Sequence, residues 1–160
     1  MTTIEIRSLR EEDLDWTRHL LIERWSSTKI VSRGRIHYAD RLAGFVAIRN
    51  NSRVGLLTYR IDNDECEIVT LDSLEEGVGV GSSLIEAVKS TASSERCRRI
   101  WLITTNDNMS VLRFYQKRGF TLAALYPNAL EHSRELKPEI PIRGTEGIPL
   151  RDEIELEMVL

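Results

Sequence analysis

The residues of this chain with the plainest chemical use are three glycines at alternate positions, Gly77, Gly79 and Gly81, within Glu65 to Leu84 (ECEIVTLDSLEEGVGVGSSL). The segment before them alternates like a buried strand, and the segment after them has the first turn of an amphipathic helix. Glycines at the mouth of a helix let backbone N–H groups approach an anion with no Cβ in the way. The helix N-terminus adds unpaired donors and the positive end of its dipole. The spacing predicts a turn that holds a phosphate-bearing ligand by main chain. Two common nucleotide patterns do not fit. A dinucleotide turn, G-x-G-x-x-G/A, would need Gly or Ala at Ser82 or Leu84, and a Walker loop would need a Gly-Lys-Ser/Thr that is absent. The plainer use of such a turn is close helix–strand packing, but that requires fewer glycines.

A second constellation lies in NDNMSVLRFYQKRGF. Asn108 and Tyr115 are seven residues apart, about two helical turns, and so can share a helix face. Gly119-Phe120 marks the step into a following strand. Taken alone, Asn108 is a helix cap and Tyr115 a half-buried core aromatic.

Composition bounds what these residues can serve. The 160 residues suit one domain, 1–160, with 41% hydrophobic and 29% charged side chains, which favours neither disorder nor a membrane protein. A net charge of −3 argues against a nucleic-acid partner, which usually meets a basic face. No run approaches the roughly 18 apolar residues of a membrane span. No apolar segment near the N-terminus suggests a signal peptide. Cys66 and Cys97 read as reduced thiols in a cytoplasmic protein, and no His/Cys cluster suggests a metal.

The elements that must position these residues are legible as a coarse order. Ile4–Leu9 reads as a strand, and Leu14, Leu20, Leu21 and Trp25 mark a helix that ends near Ser26-Ser27. Thr28–Asp40 reads as loop or short irregular pieces lying over a site. Gly44–Arg49, Arg53–Ile61 and Glu65–Asp72 form an antiparallel meander joined by Asn50-Asn51 and Asp62-Asn63-Asp64. A helix after the glycine turn then crosses over to a parallel strand, Arg99–Thr104. A helix over Met109–Arg118 and a strand over Phe120–Tyr126 come next. Ala129–Leu136 is a short helix, Glu139–Leu150 a loop or extended arm, and Asp152–Leu160 a final strand. The class is α/β, a mixed central sheet with an antiparallel meander and a parallel crossover, flanked by helices.

Together the two constellations carry a family resemblance. Glu76-Gly77-Val78-Gly79-Val80-Gly81 resembles the [Q/R]-x-x-G-x-G/A motif of the GNAT superfamily of N-acetyltransferases, and Asn108 to Phe120 resembles its N-x₆-Y-x₃-G-F element. The order of elements over residues 4–126 is similar as well. One departure stands at Glu76, where the motif has Gln or Arg.

The resemblance implies an acetyl-CoA co-substrate, no metal, and direct acetyl transfer to a primary amine, on a small molecule or a protein. It implies that Glu76, Gly77, Val78, Gly79, Val80, Gly81 and Ser82 cradle a pyrophosphate, with main chain as the binding group. It implies that the strand edge near Val69 and Leu71 pairs with the pantetheine arm, and that Asn108, Phe114 and Tyr115 flank it. Tyr115 is the expected general acid. Strand alternation places Glu67 and Glu65 on the face of Val69 and Leu71, which makes Glu67 and then Glu65 the expected base; both also read as solvated meander residues. Cys66 alternates away, so a covalent cysteine route is not expected. The acceptor is expected between Trp25–Tyr38 and Glu139–Glu155. Asp152, Glu153 and Glu155 could attract a cationic amine, although they also read as an edge strand with its acids in solvent. Arg33 and Arg35 could meet an anion or stand as ordinary loop arginines, and His19, His37 and His132 receive no role. A non-catalytic acetyl-CoA-binding sensor or assembly module is the alternative function, and a homodimer stays open.

Overall fold

The computed structural model describes residues 3–160, so the first two residues of the expected 1–160 domain lie outside the described residues. In chain order the elements are β1 (Glu5–Ser8), α1 (Leu14–Trp25), β2 (Lys29–Ser32), β3 (Arg35–Tyr38), β4 (Ala43–Arg49), β5 (Ser52–Asp62), β6 (Glu65–Ser73), α2 (Val80–Ser94), β7 (Arg99–Thr105), α3 (Met109–Lys117), β8 (Thr121–Tyr126), α4 (Ala129–Leu136) and β9 (Glu153–Val159). Seven strands make one mixed sheet in the order β1-β4-β5-β6-β7-β9-β8, and β2 and β3 form a separate hairpin. The β6–β7 pair is parallel and its neighbours are antiparallel, the architecture that the order of elements predicts. No helix among the described residues is long and apolar enough to cross a membrane.

Three of the hairpins share one local cause. Each has a two-residue turn with both residues at positive φ: Arg33 and Gly34 (49° and 72°), Asn50 and Asn51 (53° and 62°), Asn63 and Asp64 (49° and 59°). Such turns match the right-handed twist of the strands they join. The asparagines announce this conformation and Arg33 does not. Thr28–Asp40, expected to be irregular, is therefore an ordered hairpin in which Ser32 pairs with Arg35 and Lys29 with Tyr38.

The core lies on both faces of the sheet. On one face α2 places Leu84, Ile85 and Val88 against Leu57, Ile68, Ile100 and Leu156. On the other, Leu20 and Leu21 of α1 meet Leu56, Val69 and Ile30. Asp13 anchors the start of α1. Its buried carboxylate accepts from Arg7 (2.8 and 3.0 Å), from Arg53 (2.9 Å) and from the Arg10 N–H (2.8 Å), tying β1 and β5 to the helix. The Arg7 hydrogen bonds hold this carboxyl far below the usual carboxylate range, against the cost of burial.

Two expectations are corrected by the strand register. Thr58 pairs with Thr70 and Tyr59 with Ile68, so Val69 is the extra residue of a β-bulge. The bulge shifts the alternation by one. Val69 stays on the α1 face, where Glu67 also lies, while Leu71 packs with the α2 core. Glu65, Glu67, Val69 and Leu71 therefore do not share one face. The second correction concerns β9, which is not an edge strand. It lies between β7 and β8, and Asp152, Glu153 and Glu155 are all less than a tenth exposed.

Candidate active site

The parallel pair β6–β7 is short. Pairing runs only from Glu65↔Arg99 to Glu67↔Trp101, although β6 continues to Ser73 and β7 to Thr105. Beyond Glu67 the two strands part and a cleft of about 820 Å³ opens between them. Ile68, Val69, Leu71 and Asp72 line one side, and Leu102, Ile103 and Thr104 the other. The β6 edge that faces β7 up to Glu67 thus faces the cleft from Ile68 on, with backbone donors and acceptors that no strand among the described residues pairs.

The glycine turn opens into the same cleft. Gly77 and Gly79 lie at φ +76° and +88°, a conformation that a side chain adopts at a cost, and a Cβ at either would meet nothing within 4 Å. Gly79 is the N-cap of α2 and no side chain caps the helix. The first bond of this helix terminus runs from Ser83 N–H to Gly79 C=O (3.0 Å), which leaves the N–H groups of Val80, Gly81 and Ser82 ahead of it. Gly81 is small for another reason. A Cβ there would lie 2.8 Å from Phe114 Cζ. Val78 points away: it is 39% exposed and does not line the cleft, and Glu76 is exposed at the rim.

Helix α3 supplies the far wall. Asn108 Oδ1 caps it by accepting from Val111 N–H (3.3 Å) and also faces the cleft. Tyr115 is 4% exposed, and its ring packs edge-on against Phe114 and Phe120, with both centroids 5.1 Å away. It is a core aromatic and a cleft residue at once. Burial pushes its phenol far above the ordinary range, and the charge of Asp72 adds to this, so the hydroxyl keeps its proton. Arg118 and Arg24 are cations of the cleft that no sequence motif singles out, and Arg118 lies beside the start of α2. Its guanidinium lies 3.7 Å over the Phe114 ring and Nε donates to Ser82 Oγ (2.9 Å), beside the free N–H groups of α2.

The carboxylates sort differently from expectation. Glu65 is bound to Arg99 and Arg98, and the Arg99 hydrogen bond holds its carboxyl below the usual range, so it is an ion-pair member rather than a poised base. Glu67 stands where the strands part but lies under the β2–β3 hairpin, 2% exposed and outside the cleft lining. Ser32 Oγ donates to Glu67 Oε2 (2.7 Å) and lies 2.9 Å from His37 Nε2. With its one proton directed to Glu67, Ser32 accepts from His37 Nε2–H, which sets the tautomer. Burial raises the Glu67 carboxyl and lowers His37 to about 4. Asp72 is the buried carboxylate among those lining the cleft, since Glu75 and Glu76 stand at its rim. It is 9% exposed, accepts from Trp25 Nε1 (2.9 Å), and is raised by burial. Ser32 and His37, distant from Glu67 in sequence, gave no local signal; Asp72 could have been found from its place at the strand end before the turn. Burial pushes the Cys66 thiol up to about 12 on the α2 face, consistent with an inert core thiol.

Comparison with known proteins agrees with this geometry. The sequence profile of the acetyltransferase (GNAT) family matches residues 5–120. The uncharacterized protein YdhI of Bacillus subtilis (strain 168) is 42% identical over 148 residues, covering 89% of this chain and 92% of YdhI. The structure of an IAA acetyltransferase from Bacillus cereus ATCC 14579 superposes with a TM-score of 0.75 at 24% identity, over 99% of this chain and 100% of that one. A Bacillus subtilis acetyltransferase in complex with CoA gives 0.69 at 20% identity, over 100% and 99%. A parted β6–β7 pair, a glycine turn opening into it, and a family profile spanning both lead to one conclusion: this chain belongs to the acetyltransferase (GNAT) family.

Proposed function

We propose that this chain is an acetyl-CoA-dependent N-acetyltransferase that moves an acetyl group directly to a primary amine. The observation that carries this reading is the meeting of two unpaired backbone surfaces in one cleft: the β6 edge beyond Glu67 and the N–H groups at the start of α2. An amide-rich arm ending in a pyrophosphate matches both. Acetyl-CoA supplies that arm and an acyl group already activated as a thioester.

The chain's own residues divide the work. The N–H groups of Val80, Gly81 and Ser82 receive the pyrophosphate, with Arg118 beside them. Arg118 supplies the charge that Glu76 does not. Main chain at Val69 and Leu71 pairs with the arm, and a β6 N–H polarises the acyl carbonyl. One such oriented donor contributes about 2.7–4 kcal/mol. Asp72 takes one proton from the incoming ammonium, the amine nitrogen bonds to the acyl carbon, and as the carbon–sulfur bond breaks Tyr115 protonates the departing sulfur and recovers its proton from the new nitrogen. Asp72 replaces Glu67 as the first candidate base because it lines the cleft and is buried there, whereas Glu76 is exposed and Glu75 is paired with Arg49. The two free cysteines support a reducing, cytoplasmic setting.

Calorimetry with acetyl-CoA, together with thiol release over a panel of amines, tests the reading. Binding and amine-dependent thiol release are expected, with release reduced by Tyr115→Phe. Tight binding with no turnover of any amine would favour a binding module, and failure to bind any CoA ester would sink both.

A further inference from the structure

A second cavity, of about 580 Å³, lies under the tip of the β2–β3 hairpin, where Arg33 and Gly34 face Tyr126, Asn128, His132 and Glu153. One wall of it is covered by a cation of the chain itself, Arg33. The Arg33 guanidinium carbon lies 3.3 Å from the centroid of the Tyr126 ring, on the face that attracts cations. Glu153 forms the floor. It is 2% exposed, and among the described residues it accepts two long contacts, both from Arg33: 3.3 Å from the backbone N–H and 3.4 Å from Nη1. Tyr126 is held by a hydrogen bond from its hydroxyl to Glu155 Oε1 (2.9 Å), whose other oxygen accepts from Arg99 (2.8 Å). An aromatic face and a buried carboxylate make a cation-binding wall, and Glu155 holds the ring in place by its hydroxyl. The guanidinium now covering this wall sits on an exposed two-residue turn.

The register links this cavity to the cleft. Glu153 is opposite Thr105 and Glu155 is opposite Ile103, a cleft-lining residue. Residues opposite each other in an antiparallel pair are about 4.5–5.5 Å apart. The second cavity therefore lies one strand beyond the opening between β6 and β7.

We propose that this cavity is the subsite for a second cation on the acceptor, so that the acceptor is a small amine with an ammonium or guanidinium at its far end, and that Arg33 covers the Tyr126 face and Glu153 until such an acceptor displaces it. The assignment of an acceptor rests on the acetyltransferase reading; the affinity of the cavity for a cation does not.

The test separates the two. Propylguanidine carries the cation without an acylatable amine, and calorimetry reads its binding directly. Arg33→Asn removes the guanidinium and suits the positive φ of this position, as does Arg33→Gly. Both variants are expected to bind propylguanidine about tenfold more tightly than the unsubstituted chain, and Tyr126→Leu in either background is expected to cancel the gain. In turnover, Arg33→Asn lowers KM for agmatine, which has an amine at one end and a guanidinium at the other, and leaves KM for butylamine in place. The proposal is overturned if neither Arg33 variant binds propylguanidine better, if Tyr126→Leu preserves the gain, or if the agmatine-to-butylamine preference does not move. Tight propylguanidine binding in this pattern, with no amine turned over, would support the cation site and sink the acetyl-transfer reading.

Discussion

Arg118, just past the end of α3, donates from Nε to Ser82 Oγ in the first turn of α2 at 2.9 Å. This bond places a guanidinium beside the free N–H groups of the glycine turn, close to a rim where Glu76 carries the opposite charge. Arg118→Met is expected to weaken acetyl-CoA binding about tenfold or more, since hydrogen bonds to charged groups contribute about 1.5–3 kcal/mol. Glu76→Gln is expected to bind slightly more tightly. Calorimetry at two ionic strengths checks both, because the Arg118 contribution shrinks with salt.

Gly79 and Gly81 are small for different reasons, and alanine should separate them. At Gly79 the side chain has open space and only the positive φ opposes it, a strain of about 1–2 kcal/mol. At Gly81 the new methyl would meet Phe114, which leans on Tyr115, and overpacking of this kind costs about 1–3 kcal/mol. Thermal unfolding of Gly81→Ala with and without Phe114→Leu decides the matter: the second substitution should restore part of the loss. No restoration would remove Phe114 as the reason for this glycine.

Burial raises Asp72, and as a base it must be ionised. The acid limb of kcat/KM should therefore lie above the ordinary carboxylate range, with activity falling as pH drops through the raised value. Asp72→Asn is expected to lose about 10²–10⁴-fold and to abolish the limb. Glu67→Gln should keep the limb, because Glu67 lies outside the cleft lining. A limb that tracks Glu67 instead would return the base to that residue, acting through Ser32.

His37 is buried with Ser32 and Glu67 at hand and Arg60 and Arg35 raising the local positive potential, and its folded value is lowered to about 4. The unfolded chain takes up a proton near pH 6.5, where the folded chain does not. Stability from His37 is thus fully present above pH 6.5 and is lost as pH falls towards 4, by about 3 kcal/mol in all. Glu67 acts in the opposite sense, since its raised value means that the folded chain releases its proton later. Comparing chemical denaturation of His37→Gln and the unsubstituted chain at pH 7 and pH 5 isolates the histidine. Equal slopes with pH would show that His37 does not carry the effect.

Much of this protein is local, and that part was legible in its sequence. Asn50-Asn51 and Asn63-Asp64 name their own turns, because these residues tolerate positive φ. Gly77 and Gly79 name a left-handed turn, and Asn108 names a helix start; each depends on a residue and its near neighbours. The order of elements, and with it the family resemblance, comes from such signals. A period-two count puts Leu71 on the wrong face, because it does not see the bulge at Val69 that turns every residue after it.

Tertiary structure decided the rest, through pairings between distant segments. The acids of β9 resemble those of a solvated edge until the strand is inserted between β7 and β8, which buries Glu153 and Glu155. Glu67 acquires Ser32 and His37 only when the β2–β3 hairpin folds over β6, and Arg33 finds Tyr126 by the same closure. The parting of β6 from β7 after Glu67 belongs to no single residue. Local backbone preference set the turns, caps and elements of this chain; which carboxylates were buried, paired or left facing a cleft depended on contacts that exist only once the sheet is assembled.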